Sequence, residues 1–117
     1  MVANNFNEQQ HKQQLCDLAN GIPITDDLIA MTSFFKAVSD PTRMRILLAL
    51  AKTPLSVNEI VDILAMSQSS ISHQLSLLKQ VKLVTSQRRG RNIHYQLADE
   101  HIITIFQQTK AHLFEER

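Results

Sequence analysis

The stretch from Ser56 to Lys79, SVNEIVDILAMSQSSISHQLSLLK, constrains the fold more than any other part of the chain. Ser56-Val57-Asn58-Glu59 is a capping box, in which the serine hydroxyl and the glutamate three residues on serve the free N–H groups of a helix start. The helix that follows presents Ile60, Val61, Ile63 and Leu64. Ala65-Met66-Ser67 is a short turn, after which Ile71, Leu75 and Leu78 fall on the inward stripe of a second helix. Gln68, Ser69, Ser72, His73, Ser76 and Lys79 are left on its outward side. Two short helices joined by a tight turn, the second with an exposed face of small polar residues, make the helix-turn-helix pattern.

After Val81 the periodicity changes from helical to alternating. Leu83 to Gln87 leads into Arg88-Arg89-Gly90-Arg91, and Asn92 to Leu97 returns with Ile93, Tyr95 and Leu97 on one face. Gly90 supplies the turn. A hairpin directly after a helix-turn-helix is a wing, and this one has three arginines at its tip. Upstream, Thr25-Asp26-Asp27 starts a helix with Leu28, Met31, Phe34, Phe35 and Val38 at core spacing. Asp40-Pro41 starts another, which buries Met44, Ile46, Leu47, Leu48 and Leu50. A short helix is expected over His11–Leu18, broken by Asn20-Gly21-Ile22-Pro23. The fold class is therefore mostly α with a β-hairpin wing, a winged helix-turn-helix. The Gln/Asn-rich residues 1–10 are expected to form a disordered tail, and residues 11–117 one domain ending in a dimerising helix.

The exposed faces have the chemistry of DNA recognition. Gln68 can hydrogen-bond an adenine edge bidentately, and Ser69, Ser72 and His73 are short donors and acceptors for bases or phosphates. Arg88, Arg89 and Arg91 can reach flanking phosphates or lie in a narrow minor groove. Net charge is only +1, yet between Asp62 and Asp99 there is no acid, while Lys79, Lys82 and the wing arginines lie inside that window. From Asp99 to Arg117 there are four acids against two bases. A basic middle and an acidic end suggest one surface for a polyanion and another for a cation.

The acidic end holds Asp99, His101, His112 and Glu115, spaced D-x-H, ten residues, then H-x-x-E. All are ligand types for a borderline divalent metal such as zinc. Glu100 to Leu113 reads as a helix without Gly or Pro. His101 and His112 are eleven residues apart, so they return to nearly the same face with a rise of about 16 Å between them. Zinc–nitrogen bonds are about 2 Å long. One helix therefore cannot close the site. Two antiparallel copies can: Asp99 and His101 of one chain meet His112 and Glu115 of the other, which predicts a homodimer with two symmetry-related sites.

Cysteine usage and hydropathy narrow the classes further. The single cysteine, Cys16, excludes a disulfide framework and an all-thiolate metal site within one chain. No apolar run approaches a membrane span and the polar N-terminus lacks a signal-peptide core, so a cytoplasmic location and no membrane partner are expected.

Taken together these stretches resemble the ArsR/SmtB family of metal-sensing winged-helix repressors, from about Leu28 to Arg117. The resemblance is carried by FFKAVSDPTRMRILLAL, SQSSISHQLSLLK, KLVTSQRRGRNIHYQL and DEHIITIFQQTKAHLFEE. It implies that the apo-dimer binds a palindromic operator and that Zn(2+) releases it from sites on paired C-terminal helices; Co(2+) can substitute, and the residues leave zinc, cobalt and nickel open as the physiological metal, although nickel prefers more than four ligands. It also implies that the second ring nitrogen of zinc-bound His112 donates to a backbone carbonyl near Lys82. Members that sense through a cysteine pair have thiolates near Ser56 to Asn58; their lack here argues against arsenic, cadmium or lead sensing at that position. Some relatives have a second site built on an N-terminal Cys and His. Cys16 and His11, with Glu59 as a third group, would be its remnant, although a surface thiol and a solvated histidine are the plainer account. His73 is assigned to DNA and His94 to the outer strand face.

Two readings from other classes compete. A winged-helix regulator answering a redox or other non-metal signal, with a vestigial metal site, accounts for the recognition helix and wing; Cys16 would carry the redox version. A metalloenzyme accounts for the ligands alone. Four protein ligands leave no open position for an activated water, and no nucleophile–base pair is legible, so no enzyme is expected.

Overall fold

The computed structural model describes residues 6–22 and 24–115 and divides into two compact units, one ending at Met31 and one beginning at Thr32. The first unit contains α1 (Glu8–Gly21) and the opening of α2 (Asp26–Val38). Asn7 caps α1, its side-chain oxygen accepting from the Gln10 N–H at 3.0 Å, so the helix starts before the expected His11. Glutamine-rich sequence behind a good cap is adequate helix former. The helix also outlasts Leu18, and the Ile22 N–H still reaches the Leu18 carbonyl at 3.1 Å. Residues 1–5 of the expected tail and Pro23 of the expected break lie outside the described residues. No residue of α1 is buried, and Leu15, Leu18 and Ile22 are all more than half exposed.

The second unit carries the rest of α2, then α3 (Pro41–Leu50), β1 (Leu55–Ser56), α4 (Val57–Leu64), α5 (Gln68–Gln80), β2 (Val84–Arg89), β3 (Asn92–Leu97) and α6 (Glu100–Phe114). Asp40 caps α3 as its sequence predicts, accepting from the Arg43 N–H at 2.9 Å, with Pro41 in the first turn. Ile46, Leu47, Ile60, Ile71, Leu75, Leu78, Leu83 and Val84 are fully buried at the centre, and Ile102 and Phe106 anchor α6 to the same cluster. Each such side chain contributes about 1.5–3 kcal/mol on burial.

The sheet is three-stranded and antiparallel in the order β1-β3-β2. β2 and β3 are the expected hairpin, running from Val84 opposite Leu97 to Arg89 opposite Asn92, with Gly90 at φ 63° in the turn. β1 is an addition: Leu55 pairs with Tyr95 and Ser56 with His94. Two residues carry no period, which is why the pattern does not reveal it.

Burial corrects several expected core positions. Leu28, Met31 and Phe35 of α2 are 38%, 55% and 55% exposed, while Phe34 and Val38 are half-buried and Ala37 is buried. At about 100° per residue these apolar positions span half the helix circumference, more than one contact surface covers. Leu48 and Ile63 are exposed for the same reason, each standing off the buried stripe of its helix. Among the described residues, no helix is long and apolar enough to cross a membrane.

Candidate nucleic-acid interface and metal half-sites

Local bonds set the entry and exit of α5. The capping box of α4 is complete: Ser56 Oγ accepts from the Glu59 N–H at 3.2 Å, and Glu59 Oε1 accepts from the Ser56 N–H at 2.9 Å. That backbone bond is the main reason the Glu59 carboxyl sits below its ordinary value; desolvation opposes it, and the Ser56 hydroxyl and His94 reinforce it. Ala65 then turns the chain at φ 56°, and Ser67 caps α5 by accepting from the Ser70 N–H at 3.1 Å. Lys82 follows α5 at φ 61°. The helix is thus bracketed by two non-glycine residues in the left-handed region, a conformation that costs about 1–2 kcal/mol each.

With Ile71, Leu75 and Leu78 fully buried, Gln68, Ser69, Ser72 and His73 are all exposed, as the period predicts. The first turn of α5 has no acid, so the positive end of its dipole is open to an anion. Ser69 Oγ lies 3.4 Å from Ser67 Oγ, which ties it to the cap.

On the wing, Arg88, Arg89 and Arg91 are exposed. Successive strand residues point to opposite faces, so Arg88 and Arg89 leave the ribbon on opposite sides. Lys79 Nζ donates to Ser86 Oγ at 2.8 Å and ties the end of α5 to β2. A polar cleft of about 230 Å³ runs between the start of α4, Gln68 and Arg91-Asn92. His94 does not occupy an open strand face. It is 21% exposed, with Nε2 3.9 Å from Glu59 Oε1 and a buried Nδ1 that has no hydrogen-bond partner among the described residues. Its strand is central in the sheet because β1 pairs there.

Asp99 and His101 are held together at the start of α6. Asp99 caps the helix, its Oδ1 accepting from the His101 N–H at 2.9 Å and lying 3.1 Å from His101 Nδ1. Both side chains are open, at 55% and 91% exposure. Bonds of about 2.0 Å place neighbouring ligand atoms of a zinc tetrahedron about 3.3 Å apart, so this pair fits one edge. His112 lies in the last turn of α6 and Glu115 is its C-cap; both are exposed. The helix is unbroken between the two pairs, and it does not bring Asp99 and His101 to His112 or Glu115. Among the described residues, no three His, Cys, Asp or Glu side chains converge. Two imidazoles and two carboxylates suit zinc by type, and the chain presents them as two halves.

The structure does not assemble a second metal site from Cys16, His11 and Glu59 among the described residues. Cys16 is free and exposed, the His11 ring makes a tilted contact with Phe6 at a centroid distance of 5.5 Å, and Glu59 is engaged with Ser56. Cys16 and His11, five residues apart, lie about 140° apart around α1.

Residues 40–86 match the model of the bacterial regulatory protein arsR family. The chain is 35% identical over 105 residues to a transcriptional repressor SmtB homolog of Synechocystis, covering 90% of this chain and 80% of that one. A homodimeric winged helix-turn-helix DNA-binding domain of Mycobacterium bovis, Mb0332, superposes with a TM-score of 0.73 at 26% identity, over 82% of this chain and 91% of the other. The cadmium metal-sensor CMTR of Mycobacterium tuberculosis superposes with a TM-score of 0.60 at 31% identity, over 72% and 83%.

Proposed function

The chain belongs to the ArsR family of bacterial regulatory proteins, and we propose that it is a zinc-responsive transcriptional repressor whose apo-homodimer binds a palindromic operator. It is a regulator and not an enzyme, and it binds DNA as a winged-helix dimer. Gln68, Ser69, Ser72 and His73 read the major groove, and Arg88, Arg89 and Arg91 hold flanking phosphates. Asp99 and His101 of one chain, with His112 and Glu115 of the other, take the metal.

One observation carries the zinc reading. The exposed Asp99–His101 pair, 3.1 Å apart, is half of a coordination shell, and its complement lies at the far end of the same helix. The far pair is about 16 Å away along the axis, so an antiparallel second copy is what completes each site. That a structural neighbour is a cadmium sensor supports metal as the class of signal. Ligation across two α6 helices fixes their crossing, and with it the spacing of the two α5 helices, which must enter grooves about 34 Å apart. A coupling of about 1–3 kcal/mol changes operator affinity roughly five- to 150-fold. His112, ligating through one ring nitrogen, has the other free to donate to the carbonyl near Lys82, at the joint of α5 and wing.

Mixed dimers test the shared site. His101→Ala and His112→Ala homodimers each lack an imidazole in both sites. In the heterodimer one site has lost both histidines and the other is intact. Tetrahedral cobalt absorption that is weak in each homodimer and recovers on mixing is the expected result. No recovery would place the ligands within one chain or outside this set.

A further inference from the structure

We propose that Arg43 is a positioning residue for operator recognition: its guanidinium, fixed to the Ala37 carbonyl and to Gln74, sets the roll of α5 without touching DNA. Arg43 Nε donates to the Ala37 oxygen at 2.8 Å, and a terminal guanidinium nitrogen donates to Gln74 Oε1 at 3.1 Å. One planar group thus joins the end of α2, the start of α3 and the middle of the recognition helix. Arg43 is itself held at its root, its backbone N–H donating to Asp40 Oδ2 at 2.9 Å. Both Arg43 and Gln74 are half-buried.

The apolar spine of α5 leaves a need for such a group. Ile71, Leu75 and Leu78 seat the helix by non-directional contact, which resists removal of the helix far better than a small rotation. Gln74 stands on the flank of that stripe, where a hydrogen bond opposes rotation about the axis. A roll of about 20° moves a side-chain tip roughly 2 Å, given a helix radius with side chains of about 5–6 Å. That displacement exceeds the tolerance of a base contact, whose donor–acceptor distances span only about 2.7–3.2 Å. Lys79, bonded to Ser86 at 2.8 Å, fixes the helix at its far end to the wing. Arg43 supplies the corresponding fix at its middle. The two donors leave guanidinium in a fixed fork, which a lysine ammonium does not reproduce.

The inference rests on the DNA-binding reading above, and its test separates the two. The chain's own promoter fragment and a scrambled duplex are titrated with wild type, Arg43→Met, Gln74→Met and the double variant, at several salt concentrations. Each single variant is expected to lose about tenfold in operator affinity, the scale of one misplaced base contact. Scrambled-DNA affinity and the salt slope stay unchanged, and the double variant is no worse than either single. If Arg43→Met does not fold, Gln74→Met carries the test, because it leaves the Arg43–Ala37 bond in place. A fall in both affinities with a salt slope lower by about 1 would make Arg43 a phosphate contact and overturn the proposal. An unchanged ratio of operator to scrambled affinity would overturn it too. Wild type that does not distinguish the two duplexes would break the DNA-binding reading, and this one with it.

Discussion

Helices α5 and α6 both set a polar face on an apolar spine, and they differ in how much of their site one chain supplies. α5 is buried through Ile71, Leu75 and Leu78, capped by Ser67, and tied by Arg43 to Gln74 and by Lys79 to Ser86. Its outward residues are in place before any partner arrives. α6 is anchored by Ile102 and Phe106 near its start, but the candidate ligands Asp99, His101, His112 and Glu115 stand exposed in two pairs at opposite ends, and Leu113 and Phe114 are about half exposed. On the function proposed above, this sets a finished reader beside an unfinished sensor, the arrangement a switch requires. On that proposal, the part that recognises a fixed duplex is preorganised, and the part that responds is completed by what it binds.

That contrast can be attacked at four depths. The deepest is Leu75→Ala, which removes a fully buried anchor of α5; thermal unfolding should show a loss of about 2–5 kcal/mol, with operator binding lost alongside. A cost below about 1 kcal/mol would mean the spine does not hold the reader. Next is the wing. Replacing Arg88, Arg89 and Arg91 together by alanine should reduce the salt slope by about 2.7 if all three meet phosphates, and by about 1.8 if the opposite facing of Arg88 and Arg89 turns one away. A salt titration of operator affinity decides between them.

Third is the sensor itself. His112→Asn should keep operator affinity within about twofold while abolishing the zinc response, because the proposed coupling sits in α6 and the proposed DNA contacts in α5 and the wing. Loss of operator binding in the metal-free variant would show that α6 belongs to the reader. The smallest effect is at the α4 cap, where Ser56→Ala should cost about 1 kcal/mol at neutral pH. Glu59 is held below its ordinary value of 4.5 chiefly by the Ser56 N–H, with the hydroxyl adding to it. A depressed carboxyl stabilises the fold above its unfolded value and stops doing so as pH falls through the folded one. The gap between wild type and Ser56→Ala should therefore narrow in melts below pH 4.5; a gap that widens on acidification would put the sign the other way.

How legible these regions are in the sequence follows the same division. The caps at Ser56 and Asp40, the stripe Ile71-Leu75-Leu78 and the Gly90 turn are local patterns, each complete within a few residues, and each is found where the spacing puts it. β1 and the environment of His94 depend on a strand pairing some 40 residues apart in sequence (Leu55 with Tyr95), and no local period encodes that. Arg43 and Gln74 are separated by 31 positions, so nothing in the sequence of either marks the bond. Leu28, Met31 and Phe35 mislead in a different way. Their spacing is apolar, but the arc it spans is wider than one contact surface covers, and spacing alone does not say which part of the arc is buried. For α6 the separation of Asp99 and His101 from His112 and Glu115 already forbids closure within one helix, and the unbroken helix keeps them apart as the spacing requires.

The most direct test of the switch is fluorescence anisotropy of a labelled fragment from the chain's own promoter, titrated with apo-protein, then zinc, then chelator. The proposed switch requires tight binding by the apo-dimer, release on zinc, and full recovery on chelation. Tight binding indifferent to zinc would contradict it, leaving the reader intact and the paired α6 ligands without a role in release.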